Sequence, residues 1–97
     1  MAVECIRERF KSKIADREYV WLLDVLQNVR TPASRGLLRA QLLRPFSRNW
    51  VAAVGAFTYS LAPDLSELER FKSELNANDP ETRSKAEVID LIFRDLA

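Results

Sequence analysis

Apolar positions recur along this chain at three- and four-residue spacing, the period of a helix that keeps one face away from water. Val3, Ile6, Phe10 and Ile14 form a narrow stripe, and nothing between Val3 and Val29 forces a helix to stop. Asp16 is placed to cap a new helix, which predicts a break near Ala15, with one long helix as the alternative. The segment from Arg17 to Val29 is far more apolar. Tyr19, Val20, Trp21, Leu22, Leu23, Val25 and Leu26 leave Asp24 as the one polar residue among them. A helix of that kind is covered on more than one side. It is either the centre of a bundle or a helix whose second face awaits a partner.

Thr31-Pro32 reads as an N-cap followed by a proline at the first helical position, where no amide hydrogen is needed. The helix it opens carries Leu37, Leu38, Leu42 and Leu43 despite Gly36 and ends near Pro45. Asn49 to Leu61 follows with Trp50, Val51, Val54, Phe57 and Leu61 on related faces. Its Ala52, Ala53, Gly55 and Ala56 would permit close backbone approach, so it reads as the most buried helix. Pro63 punctuates the chain next. Asp64 with Glu67 resembles a capping box, and Leu65, Leu68, Phe71 and Leu75 make a stripe up to Asn76. Asp79-Pro80-Glu81 opens a last helix with a cap, a proline and an acidic first turn. Its apolar face is Ala86, Ile89, Ile92, Phe93 and Leu96, with Glu81/Lys85 and Asp90/Arg94 as outward i,i+4 pairs. The pattern predicts an all-α, compact bundle of five to six helices. Residues 1–97 form a single domain, with a bundle over 2–63 and two further amphipathic helices over 64–97.

Composition narrows the chemistry. The 97 residues include no histidine, one cysteine and two glycines. That removes the commonest general base and metal ligand, any intramolecular disulfide, and a glycine-rich phosphate loop. Catalytic residues, metal ligands and cofactors are therefore not expected, and the chain does not read as an enzyme. Carboxylate pairs such as Glu67/Glu69 sit on a solvated helix start, without the cleft that general acid–base chemistry needs. No apolar run reaches the 18 residues of a spanning helix, and the charged N-terminus is unlike a signal peptide. Cys5, lacking a partner, is expected as a small buried or half-buried residue in a reducing compartment, cytosol or nucleus.

Residues 2–63 resemble the paired amphipathic helix domain, a four-helix module of transcriptional corepressor scaffolds. The resemblance is carried by Ile6-Arg7-Glu8-Arg9-Phe10-Lys11, by Glu18-Tyr19 with Leu22-Leu23-Asp24-Val25-Leu26, by Gly36-Leu37-Leu38 with Phe46, and by Gly55, Phe57, Tyr59, Leu61 and Pro63. Arg17 to Val29 is also similar to the harmonin homology domain of scaffold proteins, whose fifth helix suits the C-terminal extension. Both resemblances imply a cleft between the first two helices that accepts an amphipathic helix of a partner protein, in regulatory or scaffold machinery. Val3, Ile6 and Phe10 would face Tyr19, Leu22, Val25 and Leu26 across it. Helix-in-groove recognition needs such side chains contiguous and exposed; the same spacing serves equally well for plain core.

Charge is unevenly placed although the net is +1. Residues 25–63 hold Arg30, Arg35, Arg39, Arg44 and Arg48 without an acid, whereas residues 64–97 carry nine acids against five bases. Arg35, Arg39, Arg44 and Arg48 could contact nucleic acid or another anion, with Phe46 and Trp50 stacking on bases. The alternative is that the acidic C-terminal helices lie over this arginine face. Trp21 and Trp50 read as core or interface anchors. A self-associating helical protein, structural or viral, with the apolar second helix as a homodimer interface, is a further possibility.

Overall fold

A computed structural model of the chain describes residues 3–62, 64–75 and 78–96. Its helices are α1 (Val3–Phe10), α2 (Asp16–Val29), α3 (Pro32–Gln41), α4 (Arg48–Leu61), α5 (Ser66–Ser73) and α6 (Pro80–Leu96). Among the described residues there is no strand, and the fold is the all-α bundle that the periodicity predicts. α2 and α4 run side by side in the same direction, with α3 packed against both. Asn49 Nδ2 donates to Asp16 Oδ1 at their entry end (3.0 Å). At the far end Arg30 donates to the carbonyls of Tyr59 (2.8 Å) and Ala62 (3.1 Å). Leu22, Leu23, Leu26, Leu38, Trp50 and Phe57 fill the space between these helices, and Ile6, Phe10, Leu68, Phe71 and Ile89 bring the outer helices into the same core.

Local signals account for most helix starts. Thr31 Oγ1 accepts the Ser34 amide (3.1 Å) and Ser34 Oγ accepts the Thr31 amide (2.9 Å), a complete capping box with Pro32 at the first position. Ser47 caps α4 by accepting the Trp50 amide at 3.2 Å, and Asp79 accepts the Glu81 amide at 3.1 Å. The break near Ala15 is present, but Asp16 does not cap it. Ala15 holds the extended cap position without a side-chain bond, and Asp16 is the first helical residue, its carboxylate taken up by Asn49. Nor does a capping box form at Asp64 and Glu67. α5 starts later, at Ser66, and Asp64 Oδ1 accepts the Ser66 amide at 3.1 Å. That backbone bond, with help from the Ser66 hydroxyl, holds the Asp64 carboxyl below the usual carboxylate value. Pro63, Asn76 and the side chain of Leu96 lie outside the described residues.

Several helix ends, or the turns just beyond them, are tied down by cations from other parts of the chain. Arg44 donates to the Phe10 carbonyl at the end of α1 (3.3 Å). Arg30 and Arg35 together take the Tyr59, Ser60 and Ala62 carbonyls that end α4. Lys85 instead reaches the turn that follows α3; the predicted i,i+4 pair with Glu81 forms at 3.5 Å, but the lysine is not on the outside. Its side chain is buried, only 7% of the residue being exposed, because α6 lies across the end of α3 and turns Lys85 and Ile89 inward. Lys85 Nζ donates to the carbonyls of Arg44 (2.7 Å) and Leu42 (3.4 Å) and stands 5.4 Å from the centre of the Trp50 ring. Asp90 is bonded by Lys72 of α5 rather than by Arg94.

Arg30 ends α2 in the left-handed region (φ 55°), where glycine is the usual residue. Both glycines stand instead in helix interiors, Gly36 in α3 and Gly55 in α4, and nothing lies within 4 Å of where a Cβ would be built on either. Neither serves a turn or a close approach within the chain, although glycine weakens a helix interior by roughly 0.5–1 kcal/mol relative to alanine. The close approach expected of the small residues in α4 comes from Ala53 and Ala56, which are buried, while Gly55 faces outward. Among the described residues, no helix is long and apolar enough to cross a membrane.

Candidate functional site

α1 lies against α2 and leaves a shallow, largely apolar cleft of about 340 Å³, lined by Cys5, Arg9, Glu18, Trp21 and Leu22. Leu22 is buried, and Trp21 is 53% exposed. An indole so placed is an uncommon exposure for the largest apolar side chain, since a buried Trp removes on the order of 150–250 Å² from water. Arg9 and Glu18 form a two-pronged fork, Nε to Oε1 at 2.8 Å and Nη2 to Oε2 at 2.9 Å. The Glu18 carboxylate holds the Arg9 guanidinium above its ordinary value, through the hydrogen bond first and its charge second. Cys5, expected to be at least half-buried, is exposed, because Ile6 and Phe10 take the inner face of this short helix.

The groove expected from Val3, Ile6, Phe10, Tyr19, Leu22, Val25 and Leu26 is mostly closed by the protein's own packing. Ile6, Phe10, Tyr19 and Leu26 belong to the core, Leu22 is the buried residue under the cleft, and Val3 and Val25 are half-buried. The reason is that α1 packs on α2 and α3 together. The Phe10 and Tyr19 rings meet at 5.1 Å and 52°, Arg44 spans both rings, and the Tyr19 hydroxyl donates to Gln41 Oε1 at 2.9 Å. Burial pushes the Tyr19 phenol up, and the Arg44 charge opposes it. Trp21, Cys5, Arg9 and Glu18 were not singled out for this cleft by periodicity. A usable signal was present: Tyr19, Leu22, Leu23 and Leu26 complete an i, i+3, i+4, i+7 stripe, which leaves Trp21 and Val25 beside it.

The arginine block is not one face. Arg35 donates Nε to the Ser60 carbonyl at 3.2 Å. Arg39 stands over the Phe71 ring (4.7 Å) and pairs with Glu74 (3.1 Å). Arg44 is held on Phe10 and Tyr19, and Arg48 is exposed in the first turn of α4. Among the described residues, the C-terminal helices supply an acidic ion-pair partner to Arg39, while backbone carbonyls take Arg35 and Arg44. A polar cleft of about 420 Å³ between α3 and α5 mixes Arg35, Arg39 and Arg70 with Glu67 and Glu74. Trp50 is 1% exposed, donates Nε1 to the Leu42 carbonyl at 2.9 Å, and is not open to stack on a base. Among the described residues, no cluster of acidic and cysteine side chains could hold a metal ion. No protein-family model matches the chain, and comparison with curated proteins and with solved structures returns no match either.

Proposed function

We propose that this chain is a non-enzymatic protein–protein interaction module that binds an amphipathic helix of a partner across the α1–α2 cleft. The observation that carries the reading is Trp21, half exposed at the edge of an apolar cleft while its neighbours Leu22 and Leu23 are buried. Tryptophan is among the residues that dominate binding energy at interfaces, and an incoming helix would cover its free face with residues at i, i+3 or i+4. The Arg9–Glu18 fork presents fixed charges of both signs beside that anchor, which favours one orientation of a charged partner over the reverse. The resemblance to paired amphipathic helix and harmonin homology modules points to the same two helices and implies a regulatory or scaffold setting. Engagement of Arg35, Arg39 and Arg44 within the fold weighs against the nucleic-acid reading.

Selection of displayed amphipathic helical peptides on the full chain tests this. Recovered peptides should share apolar anchors at helical spacing and shield Trp21 from a collisional quencher. Their affinity should fall roughly tenfold or more with Trp21→Ala, while the unfolding midpoint of that variant stays near wild type. Peptides that bind Trp21→Ala as tightly as wild type would overturn the assignment of this cleft.

A further inference from the structure

Across the molecule from the buried side of α4, its outer face carries Arg48, Val51, Gly55 and Tyr59 at three- and four-residue spacing. Val51 is 42% and Tyr59 53% exposed. α6 borders this stripe, and an apolar cleft of about 290 Å³ between the two helices is lined by Gly55, Thr58, Tyr59, Ala62, Ile92 and Asp95. We propose that this face receives a second copy of the chain, the two α4 helices crossing antiparallel at Gly55.

Three features of the chain converge on that occupant. Gly55 is the first: the interior makes no use of its missing Cβ, whereas a helix arriving from outside could approach the backbone there more closely than at any other residue type. Symmetry is the second. A two-fold axis at Gly55 sets each residue before it against the residue equally far after it, so Val51 meets Tyr59 of the second copy, twice over. Charge is the third. The same axis brings Arg48 level with Ala62 of the second copy, where Asp95 closes the cleft. Neither Arg48 nor Asp95 has an ion pair among the described residues. A foreign helix would have to supply both charges at the matching separation; this chain already carries them. A standard-size interface takes about 800 Å² from each partner, roughly an eighth of the 6213 Å² accessible surface. The outer face of α4 and the Ile92–Asp95 edge of α6 supply the surface for it. The surface is separate from the α1–α2 cleft, so either proposal can fail without the other.

Light scattering behind size exclusion, at low and high micromolar concentration, should give a mass moving toward twice the 11.2 kDa chain mass. Gly55→Ala separates an interface effect from a folding defect, because the added methyl should raise the unfolding temperature of the isolated chain while raising the dimer dissociation constant roughly tenfold. Arg48→Asp and Asp95→Arg should each weaken association by about as much, and the double exchange should restore it. A chain that stays monomeric at high concentration would overturn the proposal. So would a dimer indifferent to Gly55→Ala and to the charge exchange, or one broken by Trp21→Ala instead.

Discussion

Lys85 offers the sharpest test of how the C-terminal helix is held. Replacing it with methionine keeps most of the stem against Trp50 and removes only the ammonium group. The wild-type ammonium makes a 2.7 Å bond to the Arg44 carbonyl, a longer one to Leu42, a 3.5 Å approach to Glu81 and a contact with the Trp50 ring. A hydrogen bond from a charged donor contributes about 1.5–3 kcal/mol net. A cation at a partly buried helix C-terminus contributes up to about 2 kcal/mol, and one over an aromatic ring about 0.5–2 kcal/mol. These are overlapping descriptions of one charge, so they do not add, and methionine is relieved of the ammonium's desolvation cost. The balance is a loss of about 1–3 kcal/mol for Lys85→Met. Were Lys85 an exposed i,i+4 partner of Glu81, the same change would cost only about 0.2–0.5 kcal/mol. Urea unfolding distinguishes the two, since the midpoint should fall with an unchanged slope. In a thermal scan a 2 kcal/mol loss should lower the midpoint of a domain this size by roughly 8–16 °C. Glu81→Gln is the control: it removes the weak ion pair, keeps an acceptor for the Phe46 amide, and should cost under about 0.5 kcal/mol. A Lys85→Met chain as stable as wild type would refute the reasoning and mean that desolvation cancels every tie the ammonium makes.

Arg30 combines a left-handed backbone with a side chain that bonds two carbonyls and stands 5.4 Å from the centre of the Tyr59 ring, so Arg30→Ala should lose about 1–2 kcal/mol in urea unfolding. Arg30→Gly should recover roughly 1 kcal/mol of that by relieving the backbone; equal losses would mean that φ is not held positive. Gly36→Ala, with open space where its methyl would go, should raise stability by about 0.5–1 kcal/mol, and a lowered unfolding midpoint would contradict that geometry. The raised Tyr19 value predicts that folded protein binds this proton more tightly than unfolded chain does. Stability from it is complete below the ordinary phenol value of about 10 and is lost as pH rises through the higher folded value. Phenolate absorbance of wild type minus that of Tyr19→Phe should show a step above the ordinary value, and a step at or below it would sink the burial account.

Signals confined to a few neighbouring residues could be read from the sequence. Thr31-Pro32 and Asp79-Pro80 open helices because their partners lie two or three residues on, and the core stripe of α2 follows from its own period. Asp16 illustrates the limit of that locality: the break was in the right place, but Asn49, 33 residues away, engages the carboxylate. Groove and core could not be separated for Ile6, Phe10, Tyr19 and Leu26, because periodicity identifies an apolar face and says nothing about what covers it. α3 and Arg44 do the covering, through ring contacts and a backbone carbonyl that leave no pattern in sequence. Lys85 was misread for the same reason. Besides Glu81, its partners are the Leu42 and Arg44 carbonyl oxygens in the turn after α3, and every residue type supplies a carbonyl.

That last point accounts for the arginine block as a whole. The final carbonyls of a helix have no amide partners of their own and carry the negative end of its dipole. In a chain with two glycines, neither placed at a helix end, the usual glycine cap is missing from these termini, and cations from elsewhere take the exposed carbonyls. Arg44 takes the last carbonyl of α1, Lys85 takes carbonyls of the turn after α3, and Arg30 with Arg35 takes those that end α4. An acid in residues 25–63 would compete with those carbonyls for the same guanidinium groups, which gives the acid-free stretch a structural reason. Arg39, the one arginine of the block with an acidic partner among the described residues, ties α3 to α5. Arg48 is the remainder. It sits in the first turn of α4, where the dipole disfavours a cation, and nothing inside the described fold compensates for it. On the proposed two-fold axis, the second copy's Asp95 would stand beside it.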